Sequence, residues 1–281
     1  MHKKFLLGVA SLVWAIAQPV QAAAVYGSVQ SIEFAVTSLS SDPAFQPYFN
    51  VTGGYSYAAA GVSGNQVTSS SPLPTTADGW FTPVHAESAS DRGFAVSEVV
   101  GNSMRGYGQV NGIDQQTGGN AEAPYFDGIA SIVVSPHSQL AISADLYASG
   151  AIANTCAPTG SRTANQCEYA DVFASLSLYS TDFQFFDGKV AHVLLHATGI
   201  GAAVLTDTQS LKGATVTFSN TSDLEQSLLF YANTQYFTYS LTNNGPVFSV
   251  PEPSSSLLMT IGLVGLCMMM RFKGEQSIDR A

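Results

Sequence analysis

The sequence predicts an all-β protein: an antiparallel β-sandwich, jelly-roll-like, flanked by an N-terminal signal peptide and a C-terminal transmembrane helix. Three observations carry the fold class. Apolar residues recur with period two: Leu140, Ile142, Ala144 and Leu146 alternate with Ala141, Ser143, Asp145 and Tyr147. A strand places successive side chains on opposite faces, so this spacing gives one face to a core. About nine or more such stretches are separated by Gly, Pro, Asn and Ser. Between them no long segment holds an apolar stripe at helical spacing.

The chain starts with His2-Lys3-Lys4, followed by an apolar core from Phe5 to Ala17, the helix-breaking Gln18-Pro19 and the small residues Ala22, Ala23 and Ala24. That order predicts a secretory signal over residues 1–24, cleaved after Ala22 or Ala24. The apolar core is shorter than the ~20 residues of an ordinary membrane span.

One ectodomain is expected over residues 25–248. Besides Leu140–Tyr147, its candidate strands are Val29–Val36, Phe94–Val100, Gly128–Ser135, Asp171–Tyr179, Val190–Thr198, Ala214–Phe218, Ser227–Ala232 and Tyr236–Leu241. The stretch Thr52–Asp78, rich in Gly, Ser, Thr and Pro, is expected as a long surface loop or weakly ordered. Asn111–Glu122, with Gly118-Gly119-Asn120, is expected as a second exposed loop. Cys156 and Cys167 close a short polar segment with no His in it, which predicts a disulfide rather than a metal site. Outside the inner membrane such a bridge stabilises by roughly 2–3 kcal/mol. Cys267 lies in the C-terminal apolar run and has no evident partner.

The C-terminal end reads as a sorting segment over residues 249–273. Pro251 and Pro253 hold an extended lead-in, and Ser254 or Ser255 can cap a helix over about 255–270. Leu257 to Met270 carries no charge, and Arg271 and Lys273 follow it. With snorkelling basic side chains the segment approaches membrane length. Basic residues at both ends, Lys3/Lys4 and Arg271/Lys273, place residues 274–281 in the cytoplasm and the ectodomain outside.

Val250-Pro251-Glu252-Pro253-Ser254, then the short apolar run, then Arg271 and Lys273, resembles a PEP-CTERM sorting signal. The resemblance covers the last tenth or so of the chain and is joined by the signal peptide at the other end. It implies an exosortase that processes the tail, a Gram-negative host that makes extracellular polysaccharide, and a final place in the envelope or matrix. Ectodomains of such proteins are diverse, so the resemblance supplies no activity.

Charge narrows the partners. From Val25 to Val250 there are 17 Asp/Glu against 5 Lys/Arg, a formal net charge of −12. Nucleic acids and anionic lipid headgroups need clustered cations, so both are excluded as expected partners.

Few residues suggest catalysis. His192 and His196 have the i, i+4 spacing of a helical metal pair, but position 193 is Val where a zinc protease needs Glu. On a strand the two rings share a face about 13 Å apart, too far for one ion. Ser63, in Gly-Val-Ser-Gly, lacks the full nucleophile-elbow spacing. Asp182 and Asp187, around Phe183, Phe185 and Phe186, could serve glycoside hydrolysis only if they faced each other across a cleft. Asp114, Glu122, Asp127 and Asp187-Gly188 are possible calcium ligands without the spacing of a hand-type loop. No other cofactor is expected. Tyr55, Tyr57, Trp80, Phe81, Tyr107, Tyr125 and Phe126 flank expected loops and could stack on sugar rings if exposed.

The first functional expectation is an exported, non-catalytic envelope or matrix protein with a structural or adhesive role. Its partners would be exosortase, the secretion machinery and extracellular polysaccharide, and the membrane would hold it before processing. A carbohydrate-binding module is the alternative, and a secreted glycan hydrolase the second alternative.

Overall fold

Alternation of small or apolar residues with polar ones runs through most of residues 25–240, and the chain answers with strands. The computed structural model describes residues 23–52, 54–63, 65–70, 81–110, 115–123, 131–155, 167–197 and 200–240. In chain order the strands are β1 (Ala23–Ser38), β2 (Phe49–Thr52), β3 (Tyr57–Val62), β4 (Asn65–Ser70), β5 (Val84–Ser90), β6 (Gly93–Val100) and β7 (Ser103–Val110). They continue as β8 (Gln115–Glu122), β9 (Ser131–Val134), β10 (Ser138–Thr155), β11 (Tyr169–Ser180), β12 (Phe185–His196), β13 (Ile200–Asn220) and β14 (Gln226–Ser240). Among the described residues there is no helix long and apolar enough to cross a membrane. The chain divides into two units, Met1–Phe248 and Ser249–Ala281, and every described residue belongs to the first.

The described part is nearly all strand, in antiparallel sheets, an arrangement consistent with a β-sandwich. The smaller sheet has the order β13-β10-β1-β7-β6-β5. The larger runs β12-β11-β14-β8-β3-β4, with β9 joining β14 to β2. Between the sheets lies one core: Val25, Val29, Leu140 and Ile142 from one side, Val172, Leu176, Phe230 and Tyr236 from the other. The ring of Tyr236 lies against Gly106 and Gly108 of β7, where a Cβ would come within 2.6–2.8 Å of it. Its hydroxyl donates to Val96 O at 3.0 Å and accepts from Ser97 Oγ at 3.2 Å.

Edges are covered rather than left open, as sheet edges need to be. At one end Ser88 Oγ of β5 donates to Asn65 O of β4 at 3.0 Å. At the other, Thr217 N of β13 donates to Asp187 Oδ2 of β12 at 3.0 Å, and His192 N donates to Gln209 Oε1 at 3.1 Å. Burial alone would push the Asp187 carboxyl up, but Lys189 Nζ at 2.7 Å and the N–H groups of Thr217 and Gly188 hold it below the usual range. A depressed carboxyl stabilises above its unfolded value and loses that stabilisation as pH falls through the folded one. Asp187→Asn is therefore expected to lower the unfolding midpoint by a few degrees at pH 7 and by clearly less at pH 3. Equal losses at both pH values would show that the charge plays no part.

Two expectations need correction. Thr52–Asp78 is not one long loop: β3 and β4 form a hairpin inside it, in register from Tyr57↔Ser70 to Val62↔Asn65. Asn111–Glu122 is not an exposed loop either, since β8 sits between β14 and β3. The sequence signal was hidden because the inward positions there, Ala58, Ala60 and Val62 on β3 and Thr117, Gly119 and Ala121 on β8, are mostly small rather than large and apolar. Strands β5 and β7 were likewise not anticipated, and Ser227–Ala232 and Tyr236–Leu241 merge into β14, with Leu241 outside the described residues.

Candidate functional site

Register decides which side chains share the outer face of the larger sheet. On β8, Thr117 and Ala121 face the core while Gln116, Gly118, Asn120 and Glu122 face outward. Gly118 is paired with Phe237 of β14 on one side and Gly61 of β3 on the other, and Gly61 is paired with Gln66 of β4. One row across four strands thus reads Phe237, Gly118, Gly61, Gln66. The two central positions have no side chain, so the outer face sinks between two walls about 14 Å apart, three strand spacings. The result is a trough of about 380 Å³.

Gln116 and Asn120, two residues to either side of Gly118, close the trough along β8, and Gln235 stands beside Asn120. Phe237 is 41% exposed and offers an aromatic flank. Every described side chain that lines the trough is uncharged. Amides supply both donors and acceptors, and an exposed ring beside them supplies an apolar plate.

A buried polar chain holds one end of this surface. Ser175 Oγ donates to Asn233 Oδ1 at 2.6 Å, and Asn233 Nδ2 donates to the Tyr231 hydroxyl at 2.9 Å. Tyr231 in turn hydrogen-bonds Glu122, which also accepts from Asn120 Nδ2. Glu122 is only 7% exposed. Burial pushes its carboxyl up, and the hydrogen bonds from Tyr231 and Asn120 pull it partly back. Burial, then the Glu122 charge, pushes the Tyr231 phenol up as well.

Beyond Phe237 the outer face turns aromatic. Tyr169 lies 5.9 Å from Phe237, ring to ring, and 6.2 Å from His196. Its hydroxyl donates to Asp171 Oδ2 at 3.0 Å; burial first and then Asp171 push the phenol up to about 12. Asp171 Oδ1 also pairs with His192 Nε2 at 2.8 Å.

The sequence-derived candidates scatter. His192 and His196 lie on β12 with alternating exposure, as the strand reading expected, and each faces an aromatic ring. Ser63 sits in the β3–β4 turn with φ 47°, and its Oγ donates to Gln115 Oε1 at 2.7 Å, an amide and not a base. Asp182 accepts from Ser180 Oγ in the turn before β12, whereas Asp187 is bound to Lys189 and the edge of β13. Among the described residues no three His, Cys, Asp or Glu side chains gather as a metal cluster. Asp114 and Asp127 lie outside the described residues.

Of the aromatics, Phe81 packs against the core, 6.4 Å from Phe34, and Tyr107 tilts onto Phe94 at 6.1 Å. Tyr57 is on β3, opposite Glu122, and Tyr55 just precedes that strand. Trp80, Tyr125 and Phe126 lie outside the described residues, as do Cys156, Cys267 and the sorting residues Val250 to Ser254, Arg271 and Lys273. Cys167 is half-buried and packs against the core. Sequence reasoning missed Phe237 and the amides Gln66, Gln116 and Gln235. Amides set at alternate positions around Gly118 were the available signal.

What the fold defines is a class: an antiparallel, nearly all-β domain with a trough on its larger sheet whose described lining is uncharged. No family model matches the chain. No curated protein matches it. A solved structure described as "Structural basis for the promiscuous specificity of the carbohydrate-binding modules from the beta-sandwich super family" aligns over 76% of this chain and 93% of that chain. The identity is 10% and the TM-score 0.09, a likeness too loose to carry any argument.

Proposed function

We propose that the protein is an exported, non-catalytic envelope or extracellular-matrix protein that holds polysaccharide in the trough. The observation that carries this reading is the Phe237–Gly118–Gly61–Gln66 row, a side-chain-free floor between an aromatic plate and amides. A sugar ring has an apolar face and a rim of hydroxyls, and that floor matches both. Cleavage of a glycosidic bond ordinarily needs two carboxylates facing across the site, and none of the described lining residues is one. That favours binding over hydrolysis. A structural or adhesive role follows if the bound polymer belongs to the matrix.

Delivery rests on the two ends of the sequence. The signal peptide directs export, and its cleavage after Ala22 would leave β1 whole, whereas cleavage after Ala24 would remove two buried, paired residues. The Pro251-Glu252-Pro253 tail and the apolar run to Met270 would anchor the chain with its ectodomain outside until an exosortase processes it. The Cys156–Cys167 bridge belongs to this reading, since export brings it into an oxidising compartment.

The test has two readouts. The full chain, immobilised from detergent, is expected to retain at least one soluble polysaccharide from its host, with and without calcium. The mature mass is expected to change when the exosortase gene is deleted. No retention of any polymer would end the binding reading, and an unchanged mass would end the sorting one.

A further inference from the structure

The trough carries information about the charge of what enters it. Resting on the glycan reading above, we infer that it takes uncharged, hydroxyl-rich sugar units and turns away units bearing carboxylate or sulfate. Three observations lead there.

None of the described residues that line the trough carries a positive charge. Asn65, Gln66, Gln116, Asn120 and Gln235 are its longest amide side chains, and none is a Lys, Arg or His. A uronate or sulfate moved into such a site gives up water and finds neither a guanidinium fork nor an ammonium in return.

Flanking charges have the wrong sign for an anion. Glu122 lies two residues beyond Asn120 on β8, and Asp171 is paired with Phe237 across β11 and β14. His192 and Tyr169 answer the Asp171 charge locally, while Glu122 receives only neutral donors, Asn120 and Tyr231, among the contacts that shape it. The chain as a whole carries −10, which adds long-range repulsion.

Asn120 is held in one orientation. Its Nδ2 donates to Glu122 Oε1, and Glu122 takes a second hydrogen bond from Tyr231. Asn120 therefore meets the trough with its carbonyl Oδ1. An acceptor fixed there pairs with a hydroxyl and repels the lone pairs of a carboxylate. The polar chain behind it, from Ser175 through Asn233 and Tyr231, keeps Glu122 in place.

Matched polymers test this. The immobilised full chain is offered a set of polyuronates and, beside each, the same polymer after carboxyl reduction, which turns every uronate into the neutral hexose and leaves the linkages alone. For the linkage that fits, the reduced member is expected to be retained roughly 10-fold more strongly. That preference should persist at about 0.5 M salt, where long-range repulsion is screened and only the lining acts. Gln66→Arg, a change at an exposed position of an edge strand, should raise retention of the polyuronate several-fold. Equal or stronger retention of the polyuronate, abolished by Phe237→Ala, would overturn the inference while leaving the trough as a glycan site. If no member of any pair is retained, and Gln66→Arg changes nothing, the glycan reading fails and this inference falls with it.

Discussion

Gly119→Ala is expected to lower the unfolding midpoint by on the order of 10 °C. Gly119 faces the core from β8, at the point where β8, β3 and Tyr236 meet. A Cβ placed there would lie 2.3 Å from Ala59 O, 2.6 Å from the Tyr236 hydroxyl and 2.8 Å from Ser97 Oγ. The first of these is backbone of the neighbouring strand and cannot swing aside. Room for the methyl group has to come from parting β3 from β8 and displacing Tyr236 from its hydrogen bond to Val96 O. Overpacking costs about 1–3 kcal/mol, and each broken hydrogen bond adds roughly 1 kcal/mol. A loss of about 3–5 kcal/mol corresponds to that shift in a domain of this size. Gly118→Ala is the internal control, one residue away and on the opposite face. Its Cβ would meet nothing closer than Phe237 Cδ2 at 3.3 Å, a ring with space to move. Its midpoint should stay within a few degrees of wild type. If the two alanines cost the same, the register of β8 is wrong.

Phe237→Ala is expected to weaken polysaccharide retention roughly 10- to 50-fold at a nearly unchanged midpoint. A sugar stacked on the ring loses both the aromatic contact, about 0.5–1.5 kcal/mol, and the apolar area that the ring covers, about 1 kcal/mol more. Every 1.4 kcal/mol is a factor of ten in affinity. Stability should barely respond, because the ring is on the outer face and its neighbour Tyr169 retains its own hydrogen bond to Asp171. Phe237→Tyr should restore binding, since the plate is kept. Isothermal titration with the best-retained polymer gives the affinity, and thermal unfolding gives the midpoint. Wild-type affinity in the alanine variant would move the binding site away from the trough.

Strands were legible wherever the inward positions are large and apolar. In β10 and β11 the alternation of Leu140, Ile142 and Leu146, or of Val172, Leu176 and Leu178, matches their burial position by position. The two histidines of β12 were readable for the same reason: strand spacing separates them too far to share an ion. Where glycine takes the inward or outward position, the pattern vanishes from the sequence. β7 reads Met104, Gly106, Gly108, Val110 on its inner face, and the missing volume is filled by a ring on β14. β8 is the same case, and β4 is a polar edge strand that its pairing with β3 defines.

The sequence by itself determined the class of fold, the acidic charge that excludes nucleic acid as an expected partner, and the terminal segments on which the export proposal rests. Each of these depends on periodicity, counts or contiguous runs, which a chain carries without being folded. The trough was decided by tertiary structure alone. Phe237, Gly118, Gly61 and Gln66 come from four strands and become one row only through their pairing register. The space between them exists because two glycines on adjacent strands happen to meet. No local pattern in the chain encodes that meeting.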